Sequence, residues 1–346
     1  MSKYDRLLNI LKEDAQAVNK SLRLNDLEGS EVTITGATGL LGVNIIAALV
    51  FYNSELASKQ IRINAVSYGK PSGFIADLFK SKDVTSFFGD IADQDFVNTI
   101  PMAQNIIHSA GYAQPGKFMD DRIKTISINT TATAALLKRL KNNGSFLFLS
   151  SSEVYSGSTS LRSNELDIGT TDPGHPRACY IEGKRTGEAI VNAARDSGIK
   201  ATSARLALAY GPGTKLDDQR VMNQLIIKGI NNKISLLDSG EAVRTYGYIS
   251  DVVTMLLNML IKNESAVYNT GGKSVITIRD LAIKIGEFLD VPVKIPEIDS
   301  YMNHAPQAVG LDLSKIENEY GNKTYVDIEY GLAKTIDWVK ALHAVA

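Results

Sequence analysis

Apolar positions along this chain change their period several times, and the changes divide it into elements. Residues 3–22 set Leu7, Leu11, Val18 and Leu22 on one stripe, which predicts an amphipathic helix ahead of the first strand. That stripe has to be covered, by the body of the protein or by a partner subunit. Strand-like and helix-like patterns then alternate. EVTIT (31–35), IRINAVS (61–67), VTSFFGD (84–90), NIIHSA (105–110) and GSFLFLS (144–150) are short apolar or β-rich runs. Helical patterns separate several of them, at 40–52 and 120–142. Such βαβ alternation predicts an α/β fold built on a doubly wound parallel sheet.

Beyond about residue 205 the alternation loosens. ISLLDSGEAVRTYGYI (234–249) reads as a hairpin turning at Asp238-Ser239-Gly240. Helical patterns follow at 250–262, 277–289 and 329–343. The expected organisation is an N-terminal helix over 1–28, a nucleotide-binding sheet domain over 29–205 and a smaller mixed lobe over 206–346. Some return of that lobe to the sheet is part of the expectation.

Composition narrows the function classes. Hydrophobic residues make up 44% and charged residues 22%, as in ordinary soluble globular proteins. Lys and Arg number 37 against 38 Asp and Glu, with no long basic run, which argues against electrostatic capture of nucleic acid. Cys179 stands alone, so neither an intrachain disulfide nor a cysteine zinc cluster is available. His108, His175, His304 and His343 lack ligand-like spacing, so no metal site is expected. The N-terminus is charged throughout, and the apolar run 40–51 carries Gly42 and Asn44 and is too short to span a bilayer. A cytoplasmic setting without membrane contact is expected.

Candidate chemistry starts between the first strand and its helix, at Gly36-Ala37-Thr38-Gly39-Leu40-Leu41-Gly42. Glycines there let the backbone turn tightly and let a pyrophosphate approach the amides at the helix N-terminus. The spacing is G-x-x-G-x-x-G. At the end of the second strand, Ser67-Tyr68-Gly69-Lys70 carries no acid for a ribose 2′-hydroxyl. Ser67 and Lys70 could accept a 2′-phosphate instead, so the cofactor expectation is NAD(P), leaning to NADP. A solvated loop lysine is the plainer reading of Lys70.

Tyr180-Ile181-Glu182-Gly183-Lys184 opens a helical segment and puts a phenol and an ammonium on one face. A nearby ammonium is expected to lower the tyrosine's pKa, which makes it an acid/base for a sugar hydroxyl or carbonyl. Ser150-Ser151-Ser152-Glu153-Val154-Tyr155 follows the run FLFL, so hydroxyls emerge at a strand's C-terminal end, where such sheets bind ligands.

Together GATGLLG, Gly89-Asp90-Ile91, His108-Ser-Ala-Gly111, SSSEVY and YIEGK resemble the extended short-chain dehydrogenases/reductases of the epimerase/dehydratase group. The stretch from Arg177 to Arg185 is particularly similar to UDP-glucuronate decarboxylases (UDP-xylose synthases), and so is that from His108 to Asn129. The resemblance implies a Rossmann-type fold with an NAD(P)-binding domain and a nucleotide-sugar lobe. It implies Gly36, Thr38, Gly39, Leu40, Leu41 and Gly42 along the pyrophosphate, Asp90 and Ile91 by the adenine, and Ser109, Ala110, Gly111 and Asn129 further along the cofactor. Tyr180 and Lys184 become its catalytic pair, with Ser151 and Glu153 beside them. Ser152, Arg220 and Arg244 fall on the substrate side, the arginines where relatives clamp a nucleotide diphosphate. A homodimer through helices at 117–142 and 178–196 is also implied.

Two positions depart from the pattern. Leu208 stands where the motif R-x-x-N-x-Y-G-P has asparagine, and Val309 where the decarboxylases have the arginine thought to meet the glucuronate carboxylate. Glu153 points the other way, since dehydratases and decarboxylases carry an acid there. The expected function is hydride transfer at C4 of an NDP-hexose, by a 4-epimerase, 4-ketoreductase or 4,6-dehydratase. UDP-glucuronate decarboxylation is the alternative. A non-catalytic nucleotide-sugar or NAD(P) binding protein is the alternative of another class, because fold does not fix function.

Overall fold

Short β-branched runs and the helices between them assemble into a parallel sheet in the computed structural model, which describes residues 3–112, 114–297, 310–321 and 324–345. The chain begins with α1 (Asp5–Ser21), β1 (Glu31–Thr35), α2 (Leu40–Glu55), β2 (Arg62–Ser67), α3 (Gly73–Leu78) and β3 (Val84–Phe88). Next come α4 (Gln94–Thr99), β4 (Ala103–His108), α5 (Pro115–Asp120), α6 (Arg122–Asn129), α7 (Thr131–Leu137) and β5 (Leu140–Ser151). The chain continues through α8 (Ala178–Asp196), β6 (Lys200–Leu206), β7 (Leu208–Tyr210), α9 (Val221–Ile230), β8 (Ile234–Ser235) and β9 (Val243–Tyr248). It closes with α10 (Ile249–Lys262), β10 (Val267–Thr270), β11 (Ser274–Thr277), α11 (Ile278–Leu289), β12 (Val293–Lys294), α12 (Ser314–Tyr320) and α13 (Ile328–His343).

Seven strands form the main sheet among the described residues, in the order β10-β6-β5-β4-β1-β2-β3, all parallel. Alternate side chains serve the two faces. On β5, Leu147 and Leu149 belong to one core cluster, while Phe146 and Phe148 belong to another. On the first face pack α2 and α10, with α1 laid across them through Leu7, Ile10, Leu11, Ala15 and Val18, all buried. On the second face lie α6, α7 and α8. Strand order reverses between β1 and β4, so a crevice opens at their carboxyl ends.

Two local expectations are corrected. The helical pattern at 120–142 stops at Leu137, because Leu140 already pairs with Ala103 as part of β5. Asn143 takes a left-handed φ of 61°, and a Cβ on Gly144 would sit 2.4 Å from the Gln104 carbonyl, so this polar stretch is committed to strand β4. The hairpin at 234–249 does not form either. β8 pairs parallel with β12, and β9 lies between β11 and β7. The turn itself is there, with Gly240 at φ +73° and its N–H on Asp238 Oδ1 at 2.9 Å. Its carbonyl accepts from Arg279 N at 2.9 Å, which docks the turn on the start of α11 and sends β9 to other partners.

The segment after residue 206 is shared between two places. β7, β9 and β11 make a small mixed sheet, while β10 extends the main sheet beside β6. Among the described residues, no helix is long and apolar enough to cross a membrane.

Candidate active site

The β1–α2 loop is built for close approach. Gly36 adopts φ +69°, and a Cβ there would lie 2.7 Å from the Ser109 carbonyl oxygen. A Cβ on Gly42 would lie 2.4 Å from Gly36 O, so α2 packs backbone to backbone on the turn. Gly39 is the N-cap of α2 and offers no capping side chain. The first amides of this 16-residue helix are therefore left to an outside acceptor. Thr38, Leu40 and Leu41 sit half-buried around them. Thr35, which the sequence reading passed over, fixes the opposite wall: its carbonyl accepts Ser109 Oγ at 2.6 Å, and its Oγ1 accepts Ala110 N at 3.1 Å. The residues present fit the pyrophosphate of a dinucleotide.

Further along, Ser67 ends β2 with its hydroxyl donated to Gly69 O at 2.8 Å, and Lys70 is exposed. Asp90 holds Lys124 at 2.6 Å and accepts Ala92 N, and Ile91 is buried beside it. Burial raises Asp90, but Lys124 and the Ala92 amide outweigh it and hold the carboxyl below its usual range. Lys124 also lies 4.6 Å from the centre of the Tyr68 ring. Its part in this corner was not foreseen from sequence. His108 is structural: it bonds Thr35 Oγ1 and Ile128 O, and burial pushes it down to about 4.

Tyr180 and Lys184 share one face of α8, with the ammonium 5.8 Å from the phenol ring's centre. Phe118 stacks on Tyr180 at 4.7 Å, and Ser151 hydrogen-bonds its phenol. Lys184 donates to Leu149 O at 2.5 Å, and a Cβ on Gly111 would lie 3.8 Å from its Nζ. Asn129 gives its amide to Thr125 O, and its buried Oδ1 has no partner. Here the expected electrostatics are reversed. Burial, outweighing the Ser151 bond, pushes Tyr180 up to about 12. Burial likewise pushes Lys184 down to about 7, opposed by Glu188. The lysine's proton is aimed at a backbone carbonyl, and the cation that lowers the phenol is Arg177.

Arg177 was noticed in the sequence only as part of a similar stretch. Its Nη2 holds Glu153 Oε1 at 2.5 Å, and its guanidinium lies over the Phe118 ring. Burial raises Glu153, with Arg177 pulling it back. Ser152 is half-buried beside Glu153. Arg220 is braced by Asp218 at 2.5 Å and by Ala209 O, and Arg244 donates to Val243 O. Burial raises Tyr246, and both guanidiniums lower it, which puts the two arginines on one wall. Leu208 faces Tyr246 in the β7–β9 register. Val309 lies outside the described residues.

Comparison with known proteins bears on the family and the fold. The model of the NAD dependent epimerase/dehydratase family matches residues 32–271. UDP-glucuronic acid decarboxylase 1 of Xenopus tropicalis is 26% identical, over 98% of this chain and 80% of that protein. An epimerase of Methanothermobacter thermautotrophicus superposes with a TM-score of 0.79 at 17% identity, covering 99% of this chain and 97% of the other. UDP-glucuronic acid 4-epimerase of Bacillus cereus, solved with UDP-glucuronic acid and NAD, gives 0.74 at 20% identity, covering 90% and 99%.

Proposed function

The chain belongs to the NAD dependent epimerase/dehydratase family, and from that premise we propose that it exchanges hydride at C4 of a nucleotide-diphosphate hexose. One observation carries the reading. Tyr180 and Ser151 meet at the carboxyl end of β5, in the crevice that the glycine loop also borders. In this reading Gly36, Gly39 and Gly42 admit the pyrophosphate, and Asn129 Oδ1 and Lys184 face the nicotinamide ribose. Bound there, the nicotinamide supplies a two-electron hydride acceptor and donor for C4.

The rest is done by side chains. Tyr180, at about 12, holds its proton at neutral pH and delivers it to O4 when a 4-ketone is reduced. In the oxidative direction Tyr180 Oη takes the O4 proton, with Ser151 Oγ fixing O4. Arg177 offsets the phenolate charge from which that step starts. Arg220 and Arg244 hold the diphosphate, for which guanidinium forks are suited.

The second reading is UDP-glucuronate decarboxylation. It is supported by the name of the Xenopus relative and by Glu153, an acid close enough to Tyr180 to act on its phenol. In this reading Glu153 serves C5 after C4 is oxidised. For the dinucleotide, the acid-free end of β2 with Lys70 and Lys124 nearby supports NADP, although the Ser67 hydroxyl is already donated to Gly69. We further read the protein as a cytoplasmic homodimer joined through α6 and α8, where Ile123 and Ile126 are exposed at 80% and 42%.

The test is to denature the purified protein and identify the nucleotide it releases, then assay UDP-glucose and UDP-glucuronate as probes. Retained NAD supports an internal redox cycle, and an empty site that takes up NADPH supports a 4-ketoreductase. Tyr180→Phe should cut turnover by about 10²–10⁴-fold while cofactor affinity stays. A wild type that binds dinucleotide and UDP-sugar but turns over neither probe would instead support a non-catalytic binder. Unchanged turnover in Tyr180→Phe, or a protein that binds neither dinucleotide, would sink the reading.

A further inference from the structure

Behind Lys184 lies a buried ion pair that the chemistry above does not use. Glu188, one helical turn on along α8 and 6% exposed, accepts Arg205 Nη2 at 2.8 Å and Nε at 3.0 and 3.1 Å. It also accepts Ser150 Oγ at 2.5 Å. Arg205, opposite Ser150 in the β5–β6 register, spends Nη1 on Tyr155 Oη and Glu165 O. Tyr155 Oη donates a hydrogen bond to Asn269 Oδ1 of β10 at 2.7 Å.

A buried ion pair is seldom needed for stability, since apolar side chains of similar volume serve as well. This one has a second neighbour. Lys184 is buried against the Phe148 ring, and Glu188 opposes the loss of its charge. Among the described residues, the other groups facing it offer no compensating anion. His108 on β4 is neutral, Tyr180 keeps its proton, and Arg205 on β6 is a cation already matched. Strand geometry adds a second link. Ser150 and Ser151 point to opposite sides of β5, so a bond that fixes Ser150 downward to Glu188 fixes Ser151 upward to Tyr180.

We propose that Glu188 is a positioning residue of this site, acting through Lys184 as its counter-charge and through Ser150 as the anchor of the strand end that carries Ser151. The inference rests on the reading that Tyr180, Lys184 and Ser151 serve a bound dinucleotide.

The experiment is NADH affinity of the full chain by fluorescence, from pH 5 to 9. Wild-type affinity should fall as pH rises through the titration of Lys184. In Glu188→Gln that fall should move to lower pH by about 1–3 units, the usual effect of losing one close opposite charge. Glu188→Asp should restore it. Because Glu188→Gln strands Arg205, the double variant E188Q/R205M removes the pair together and should show a displacement of the same sign but smaller, with circular dichroism reporting that each variant is folded. A folded variant whose midpoint matches the wild type overturns the proposal. A wild type that binds no NADH at any pH overturns the underlying reading instead.

Discussion

A methyl group makes the sharpest probe of the glycine loop. On Gly42 it would meet Gly36 O at 2.4 Å and Ala37 Cα at 2.7 Å, both backbone atoms that cannot swing away. On Gly69, just after β2, it would meet nothing within 4 Å. Gly42→Ala should therefore destabilise the protein by about 1–3 kcal/mol and weaken dinucleotide binding about tenfold or more. Gly69→Ala should leave both unchanged, and thermal melts with a binding titration on the two variants decide the matter. At this scale the glycines, Tyr180 and Lys184 were legible, because each announces itself by residue type and local spacing. The pairs Glu153–Arg177 and Glu188–Arg205 were not, since their members stand 24 and 17 residues apart and only the fold joins them. Glu188 did leave one signal, its position one turn after Lys184 on the same helix face. The reversed charge states of Tyr180 and Lys184 were beyond the sequence too, because burial set them.

Among elements, α1 has an attachment that depends on pH. Asp14 on its inner face takes Tyr248 Oη at 3.0 Å and is almost fully enclosed. Burial pushes it up to about 7, against the Tyr248 bond and Lys334, with Glu13 and Asp251 adding to the rise. Its folded value exceeds its unfolded one, so the docked state holds the extra proton. Stability is then complete below about pH 4 and is lost as pH climbs toward 7, by on the order of 3–4 kcal/mol. Asp251, raised by burial to about 6, adds a loss of the same sign. Asp14→Asn should flatten the fall in melting temperature between pH 4 and 8 without abolishing it, and an unaltered slope would refute this role. The helix itself was plain in the sequence from its single apolar stripe. The hairpin at 234–249 was misread because a turn is a local property, whereas strand partners are chosen by distant segments.

For the whole molecule, the α/β class and the parallel sheet followed from alternation alone. Some return of the C-terminal segment to the sheet was expected, but not which strand makes it or that it joins β6, because roughly 60 residues of other structure intervene and a four-residue strand leaves a faint pattern. The proposed pairing of α6 and α8 between two copies is tested at this scale. Ile123→Glu with Ile126→Glu should give monomers by light scattering at micromolar concentration, with dinucleotide affinity retained. A wild type that is already monomeric there would remove the dimer.

The late arrival of β10 also has a consequence for how the protein is made. A ribosome adds about 5–20 residues per second, so roughly 60 residues separate the two strands by several seconds. Through that interval the nascent chain carries β6 as a bare sheet edge, open to pairing with other chains. Codons that slow translation between residues 207 and 266 should lower the soluble yield, whereas the same delay placed after residue 270 should not.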